Sequence, residues 1–259
     1  MDLGLKNKRV VITGGSKGIG SNVADFFEKE GSLLTLVSRD ENLLKKKICK
    51  YKNYKYKHNF FSSNLRDENN PTKVAKQIIK ENKKIDIIIH NVGGGLGVKN
   101  YLDSKEKWID VWNFNVGIAI EMNNIFLPHM IKKKAGKIIH ISSINAETGG
   151  AMIRPYGGAP AYSCAKAYLN MYVKVVGREV AKSNIIMNGV MPGPIISKGK
   201  HWDILSKKKP IFVRNYLNRY HATKRFGKFD EVSPFVLMLA SKYSNYTSGS
   251  MISIDGGLL

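Results

Sequence analysis

Acidic residues are scarce in this chain: 20 Asp and Glu stand against 42 Lys and Arg in 259 residues, a formal net charge of +22. An excess of that size points either to an anionic partner or to codon drift. Lysine, asparagine and isoleucine are abundant along the whole sequence, as an AT-rich genome would supply them, so drift is the simpler reading. The densest basic run, 45–57, interleaves Lys with Tyr51, Tyr54 and Tyr56. Aromatics among cations can stack on bases, but a solvated helix end followed by a strand accounts for the same residues, and no nucleic-acid partner is expected. Cysteine is nearly missing. Cys49 and Cys164 make no disulfide framework and fit a reducing compartment. His90 and His140 are solitary, without the ligand spacing of a zinc site, so no metal is expected. No apolar run approaches 18 residues, and the charged stretch 1–9 lacks the architecture of a signal peptide. The expectation is a soluble cytoplasmic protein without a membrane partner. No linker rich in Pro, Ser or Gly divides the chain, and 43% hydrophobic residues suffice for one large core. A single domain, 1–259, follows.

What is present is alternation. Short apolar runs suited to buried parallel strands fall at 9–13, 33–38, 56–61, 85–90, 137–141, 185–191 and 251–254. Helical stretches stand between them, at 18–30, from 41, 70–82, 108–129, up to about 182, and 230–240. Strands that alternate with helices imply a parallel sheet covered on both faces, a doubly wound α/β fold of the Rossmann type. The segment 195–228 reads as basic and irregular. The helix at 108–129 carries Asn113, Asn115, Asn123 and Asn124. Asparagine is a mediocre helix former, and one on a core-facing helix needs a partner or a task.

The first strand runs into Thr13-Gly14-Gly15-Ser16-Lys17-Gly18-Ile19-Gly20. Glycines allow a tight turn and close approach of backbone to ligand, and the next helix aims its first amides at that turn, which suits a pyrophosphate. The second strand ends at Ser38, and Arg39 follows. An acidic residue here would bind ribose hydroxyls, whereas a guanidinium accommodates the extra phosphate of NADP. Lys17 adds a second cation, and Asp40 reads as a helix cap. NADP(H) is therefore expected over NAD(H). Three glycines after Asn91-Val92 mark close backbone approach at the carboxyl end of another strand.

Tyr162 and Lys166 lie four residues apart, on one face of a helix. A phenol has a pKa near 10; a cation held beside it lowers that value toward neutrality. The pair is a candidate proton-transfer device. Cys164, between them, reads as a small buried packing residue.

Taken together these pieces resemble the short-chain dehydrogenase/reductase family. The matching motifs stand in the family's order: Thr13-Gly14-x3-Gly18-Ile19-Gly20, Asn91-Val92-Gly93, Asn115, Ser142-Ser143, Tyr162-x3-Lys166, Pro192-Gly193 and Asp255-Gly256-Gly257. The resemblance spans essentially the whole chain. It implies that Tyr162 is the general acid/base, that Lys166 lowers its pKa and holds the nicotinamide ribose, that Ser143 polarises the substrate oxygen, and that Asn115 holds a relay water near the lysine. It further implies cofactor contacts from Ser16, Lys17, Ser38, Arg39, Asn64, Leu65, Asn91, Gly93, Pro192, Gly193, Ile195 and Ser197, besides the glycine turn. A homodimer or homotetramer is implied as well.

Some features depart from the family pattern. The connection 144–161 is about half a dozen residues longer than usual, with Tyr156 in it, and would sit over the substrate. Asn64 stands where Asp is usual, and Ser197 where Thr is usual. The segment 195–228 corresponds to the substrate lid, and its cations would suit an anionic small-molecule substrate. The expected activity is NADP(H)-dependent interconversion of a ketone and a secondary alcohol, on a sugar-type or other polar carbonyl. The alternatives are a 3-oxoacyl-(acyl-carrier-protein) reductase and, in another class, a dinucleotide-binding regulator without catalysis.

Overall fold

A computed structural model describes residues 1–51, 58–150 and 159–258. Seven parallel strands form one sheet in the order β3-β2-β1-β4-β5-β6-β7. They are β1 (Arg9–Thr13), β2 (Leu33–Ser38), β3 (Asn59–Ser62), β4 (Ile87–His90), β5 (Gly136–Ile141), β6 (Ile185–Pro192) and β7 (Met251–Ile254). The helices are α1 (Gly18–Lys29), α2 (Glu41–Ile48), α3 (Asn70–Asn82), α4 (Lys105–Trp112), α5 (Ile118–Lys133), a short α6 (Asn145–Thr148), α7 (Pro160–Ala181), α8 (His201–Lys208), α9 (Pro210–Tyr220) and α10 (Phe229–Ala240). Among the described residues, no helix is long and apolar enough to cross a membrane.

Alternation along β1 builds both layers. Val10 and Ile12 pack on one face with Phe27 of α1, Leu36, Ile89 and Val236 of α10. Val11 faces the other way, with Ile78 of α3, Ile88, Phe126 of α5 and Val173 of α7. Each of these side chains is essentially inaccessible, and burying one contributes about 1.5–3 kcal/mol. Such strands read as continuous apolar runs because both faces are covered.

The strand order turns at β1, which pairs with β2 on one side and β4 on the other. The carboxyl ends of β1 and β4 therefore diverge into a crevice, the place where open α/β sheets bind ligands. Thr13-Gly14 and Asn91-Val92-Gly93 form its walls.

Three expectations shift. The helix expected at 108–129 is interrupted: α4 and α5 are joined by one π-helical turn, Asn113–Gly117. The segment expected to be irregular contains α8 and α9, which carry their own apolar cluster of Val213, Tyr216 and Phe226 with Trp202 packed on it. The third strand starts at Asn59; the rest of its expected span, 56–57, lies outside the described residues.

Candidate active site

The turn after β1 is tight because it must be. A Cβ on Gly20 would lie 2.5 Å from Asn91 Nδ2 and 2.6 Å from the Gly14 carbonyl oxygen. Asn91 Nδ2 donates to the carbonyls of Thr13 and Gly14 at 3.3 Å each, and its backbone amide donates to Thr13 Oγ1 at 3.0 Å. Asn91 thus ties the β4 end to the turn, and Thr13 serves behind it. The first turn of α1 carries no acidic residue, and Lys17 at its N-cap makes no side-chain cap bond. Its leading amides are thus left to an external anion.

One pocket, of about 720 Å³, opens at this turn. Gly14, Ser16, Lys17, Ser38, Arg39, Asn64, Leu65, Asn91 and Gly93 all line it. Ser16 Oγ and Ser38 Oγ are 2.7 Å apart. Asp40 lines the pocket as well, and its Oδ1 accepts from Leu43 N at 3.0 Å as the α2 cap. Residues that the sequence did not single out join the lining, among them Arg66 and Phe114, whose guanidinium and ring lie 5.6 Å apart. Arg66 sits directly after Asn64-Leu65, and that adjacency was the available signal. The donor set of two serine hydroxyls, Lys17, Arg39 and bare helix amides fits a phosphorylated dinucleotide.

The second pocket, of about 600 Å³, adjoins the first along the 93–95 loop. Ile19, Ser142, Ser143, Tyr162, Pro192, Gly193 and Ile195 line it, together with Lys99, Asn145, His201 and Trp202. The Ser143 and Tyr162 side chains face this pocket together, close enough for Ser143 to favour the phenolate slightly. Ser142 turns away: its hydroxyl donates to Asn170 Oδ1 at 2.6 Å. The second serine of the pair is thus the one presented to the cleft. Asn170 continues the helical spacing of Tyr162 and Lys166 by one more turn, a signal the sequence reading passed over. Trp202 had no such signal, because its seat against Tyr216 and Phe226 is tertiary. Gly18 and Ser197 line neither pocket; Gly18 adopts φ +59° at the start of α1.

Lys166 and Asn115 lie beneath this cleft, both buried. Lys166 Nζ donates to the Ile141 carbonyl at 2.9 Å and stands 5.7 Å from the centre of the Tyr162 ring. Asn115 sits in the π turn, its Nδ2 donating to Val111 O at 2.7 Å and Gly94 O at 2.8 Å. A side chain that claims a carbonyl four residues back disturbs the α ladder, which accounts for the widened turn. A Cβ on Gly93 would fall 2.5 Å from Asn115 Oδ1 and 3.1 Å from Lys166 Nζ, so only glycine lets the loop cross here. Of the four helix asparagines, Asn115 and Asn123 are buried with partners, while Asn113 and Asn124 face solvent.

Burial dominates the electrostatics of both members of the Tyr162–Lys166 pair. Burial pulls the Lys166 ammonium down to about 7. Burial also pushes the Tyr162 phenol up, and the neighbouring Ser143 hydroxyl offsets only part of that. Cys164 is corrected too: it is exposed on the outer side of α7. Of the connection 144–161, residues 151–158 lie outside the described residues, Tyr156 among them. Its beginning forms α6, then Gly149 and Gly150 in left-handed conformation. Among the described residues no group of three His, Cys, Asp or Glu could hold a metal ion.

The sheet with its switch-point crevice, a serine just after β5 and a tyrosine in the first turn of α7, define a dinucleotide-binding oxidoreductase. Residues 8–202 match the short chain dehydrogenase family, and the chain belongs to it: a family that binds nicotinamide dinucleotides and acts on the alcohol–carbonyl couple. It is 30% identical to 3-oxoacyl-(acyl-carrier-protein) reductase FabG of Buchnera aphidicola from Acyrthosiphon pisum, with 99% of each chain covered. The corresponding reductase of Thermotoga maritima is 28% identical, over 98% of this chain and 99% of that one. Among solved structures, L-sorbose reductase from Gluconobacter frateurii, complexed with NADPH and L-sorbose, superposes with a TM-score of 0.89. It is 29% identical and covers 100% of this chain and 99% of its own.

Proposed function

We propose that this protein is an NADPH-dependent reductase of a polar, sugar-type ketone. The observation that carries the reading is that Ser143 and Tyr162 line one pocket, and this pocket adjoins the phosphate-binding turn. A phenol pushed upward by burial is protonated at neutral pH and suited to give its proton to a carbonyl oxygen. Ser143 supplies a second donor where negative charge develops on that oxygen. Bound in the cleft, the reduced nicotinamide supplies the hydride. Lys166 and Asn115 fix the floor under the reacting groups, and Gly93 lets them come close. Arg39, Lys17, Ser16 and Ser38 would hold the ribose phosphate of NADPH and favour it over NADH.

The polar residues around the second pocket, Lys99, Asn145 and His201, favour a hydroxylated or anionic substrate over a fatty acyl chain. The likeness to a sorbose reductase supports the same side. The likeness to 3-oxoacyl-(acyl-carrier-protein) reductases keeps a thioester substrate as the second reading. The intact pairing of Ser143 with Tyr162 speaks against a regulator without catalysis. Self-association is part of the proposal: α7 exposes Tyr168, Met171 and Val175, each half or more accessible, an apolar strip that a second copy would cover.

The test is consumption of NADPH across keto-sugars, 3-oxoacyl thioesters and simple ketones. Turnover of keto-sugars supports the reading. Turnover confined to thioesters replaces it with the second, and no turnover with any carbonyl sinks both.

A further inference from the structure

Behind Asn115, away from the cleft, β4 and β5 each end in a buried histidine. His90 and His140 are register partners, and their rings stack with centroids 4.8 Å apart and planes at 21°. His90 Nε2 is 2.9 Å from Asn123 Oδ1, and Asn123 Nδ2 donates to Tyr172 Oη at 3.0 Å. His140 is different. It is completely inaccessible, and neither ring nitrogen has a hydrogen-bond partner. Buried polar atoms left alone cost about 1–3 kcal/mol each, so a native protein tends to satisfy them.

A small cavity lies against this ring, lined by Thr13, His90, Asn115, His140, Leu169 and neighbouring apolar groups. Of its lining only Val92 is shared with the cleft. It leaves about 10 Å³ for the centre of a water molecule, close to the roughly 10–15 Å³ that one water needs. Polar atoms surround it. Thr13 Oγ1 accepts from Asn91 N and donates to Ile89 O, which leaves one lone pair. Asn115 Oδ1 accepts only from Gly94 N, which leaves another. With an imidazole nitrogen these make the two to four partners that hold a buried water in place.

We infer that this cavity is a binding site for one structural water held by His140, and that through this water His140 positions Asn115 and the lysine beyond it. The lysine is within reach because Asn115 Oδ1 and Lys166 Nζ both border the space where a Gly93 side chain would be. The groups around Lys166 are Tyr162 on the cleft side, Asn115 from the π turn, and the Ile141 carbonyl and His140 from the sheet. No carboxylate contributes to its electrostatics. Burial, His90 and Lys166 itself all disfavour a charge on His140, so the ring acts as a neutral hydrogen-bonding group. The water keeps the floor of the site polar, which limits how far burial depresses Lys166.

The activity arm of the test rests on the ketone-reductase reading; the density arm does not. An atomic-resolution crystal structure of the unaltered protein should show one ordered water within about 3.2 Å of a His140 nitrogen. His140→Gln should keep that water and near-normal kcat. His140→Leu should lose it and lower kcat about tenfold through misplacement of the floor, with KM for NADPH unchanged. The alkaline limb of kcat should move about one pH unit lower in the Leu variant, as Lys166 loses its polar neighbour. A merely structural histidine would lower Tm in both variants and leave the limb in place. A dry cavity in the unaltered protein overturns the inference, as does a folded His140→Leu with normal kcat and limb. Should His140→Leu fail to fold, the density decides alone. Failure of all carbonyl substrates would overturn the ketone reading and leave the density result standing.

Discussion

Asn115 and Gly94 exchange two hydrogen bonds: Asn115 Nδ2 donates to the Gly94 carbonyl at 2.8 Å, and the Gly94 amide donates to Asn115 Oδ1 at 3.0 Å. One side chain thereby mimics a strand partner and ties the loop after β4 to the π turn. Asn115→Ala leaves both Gly94 groups and the Val111 carbonyl without these partners, at about 1–3 kcal/mol for each that stays buried and unmet. The expected outcome is a clear loss of Tm, at roughly 2–4 °C per kcal/mol for a chain of this size, with a loss of kcat. Calorimetry and steady-state rates check it. An unchanged Tm would show that the pairing carries no weight.

Tyr162→Phe removes the proposed proton donor and keeps the ring. Turnover should fall by about 10²–10⁴-fold, while NADPH affinity, read by fluorescence titration, stays within a few-fold. Retained turnover would move the acid/base role elsewhere.

Arg39 lines the turn-side pocket with Lys17, and the carboxylate of Asp40 is committed to capping α2. Arg39→Asp should weaken NADPH binding more than NADH binding, by at least tenfold in the ratio, since it replaces a phosphate partner with a repelling charge. Equal losses for the two cofactors would remove the basis of the NADPH preference.

Lys166 titrates near 7 in the folded protein and near 10.5 when exposed. Between these values the unfolded chain binds more protons than the native one, so this residue makes stability rise with pH across that window. Below about 7 both states are charged, and the cost of burying the ammonium is present in full. Relative to Lys166→Met, the natural protein should therefore gain Tm from pH 6.5 to pH 9. Activity should run the other way, declining above about pH 7 as the lysine loses its proton. A constant difference in Tm between the two proteins would contradict the depressed value.

Much of the fold was legible because buried parallel strands leave unbroken apolar runs. The expected spans 9–13, 33–38 and 251–254 coincide with β1, β2 and β7, and the helix expected at 70–82 coincides with α3. The π turn was not legible, since it arises from Asn115 reaching carbonyls in two different elements. Neither were α8 and α9, which are short and whose apolar residues Trp202, Val213 and Tyr216 find their partners across the helix pair and at Phe226 beyond it. Cys164 was misread because its neighbours on either side, Ser163 and Ala165, are buried, and only the helical phase turns it outward.

The sequence by itself determined the doubly wound sheet, its family and the residue types offered to a dinucleotide. Strand periodicity and glycine positions are local properties, and they survive without knowledge of contacts. Tertiary structure decided the rest. It chose Ser143 over Ser142 for the cleft by giving Ser142 to Asn170. It set Lys166 and Asn115 beneath the site and shifted the Tyr162 phenol upward by desolvation. It also stacked two distant histidines against a small cavity behind the site. Desolvation and hydrogen-bond competition govern all of these, and both depend on groups far apart in the chain.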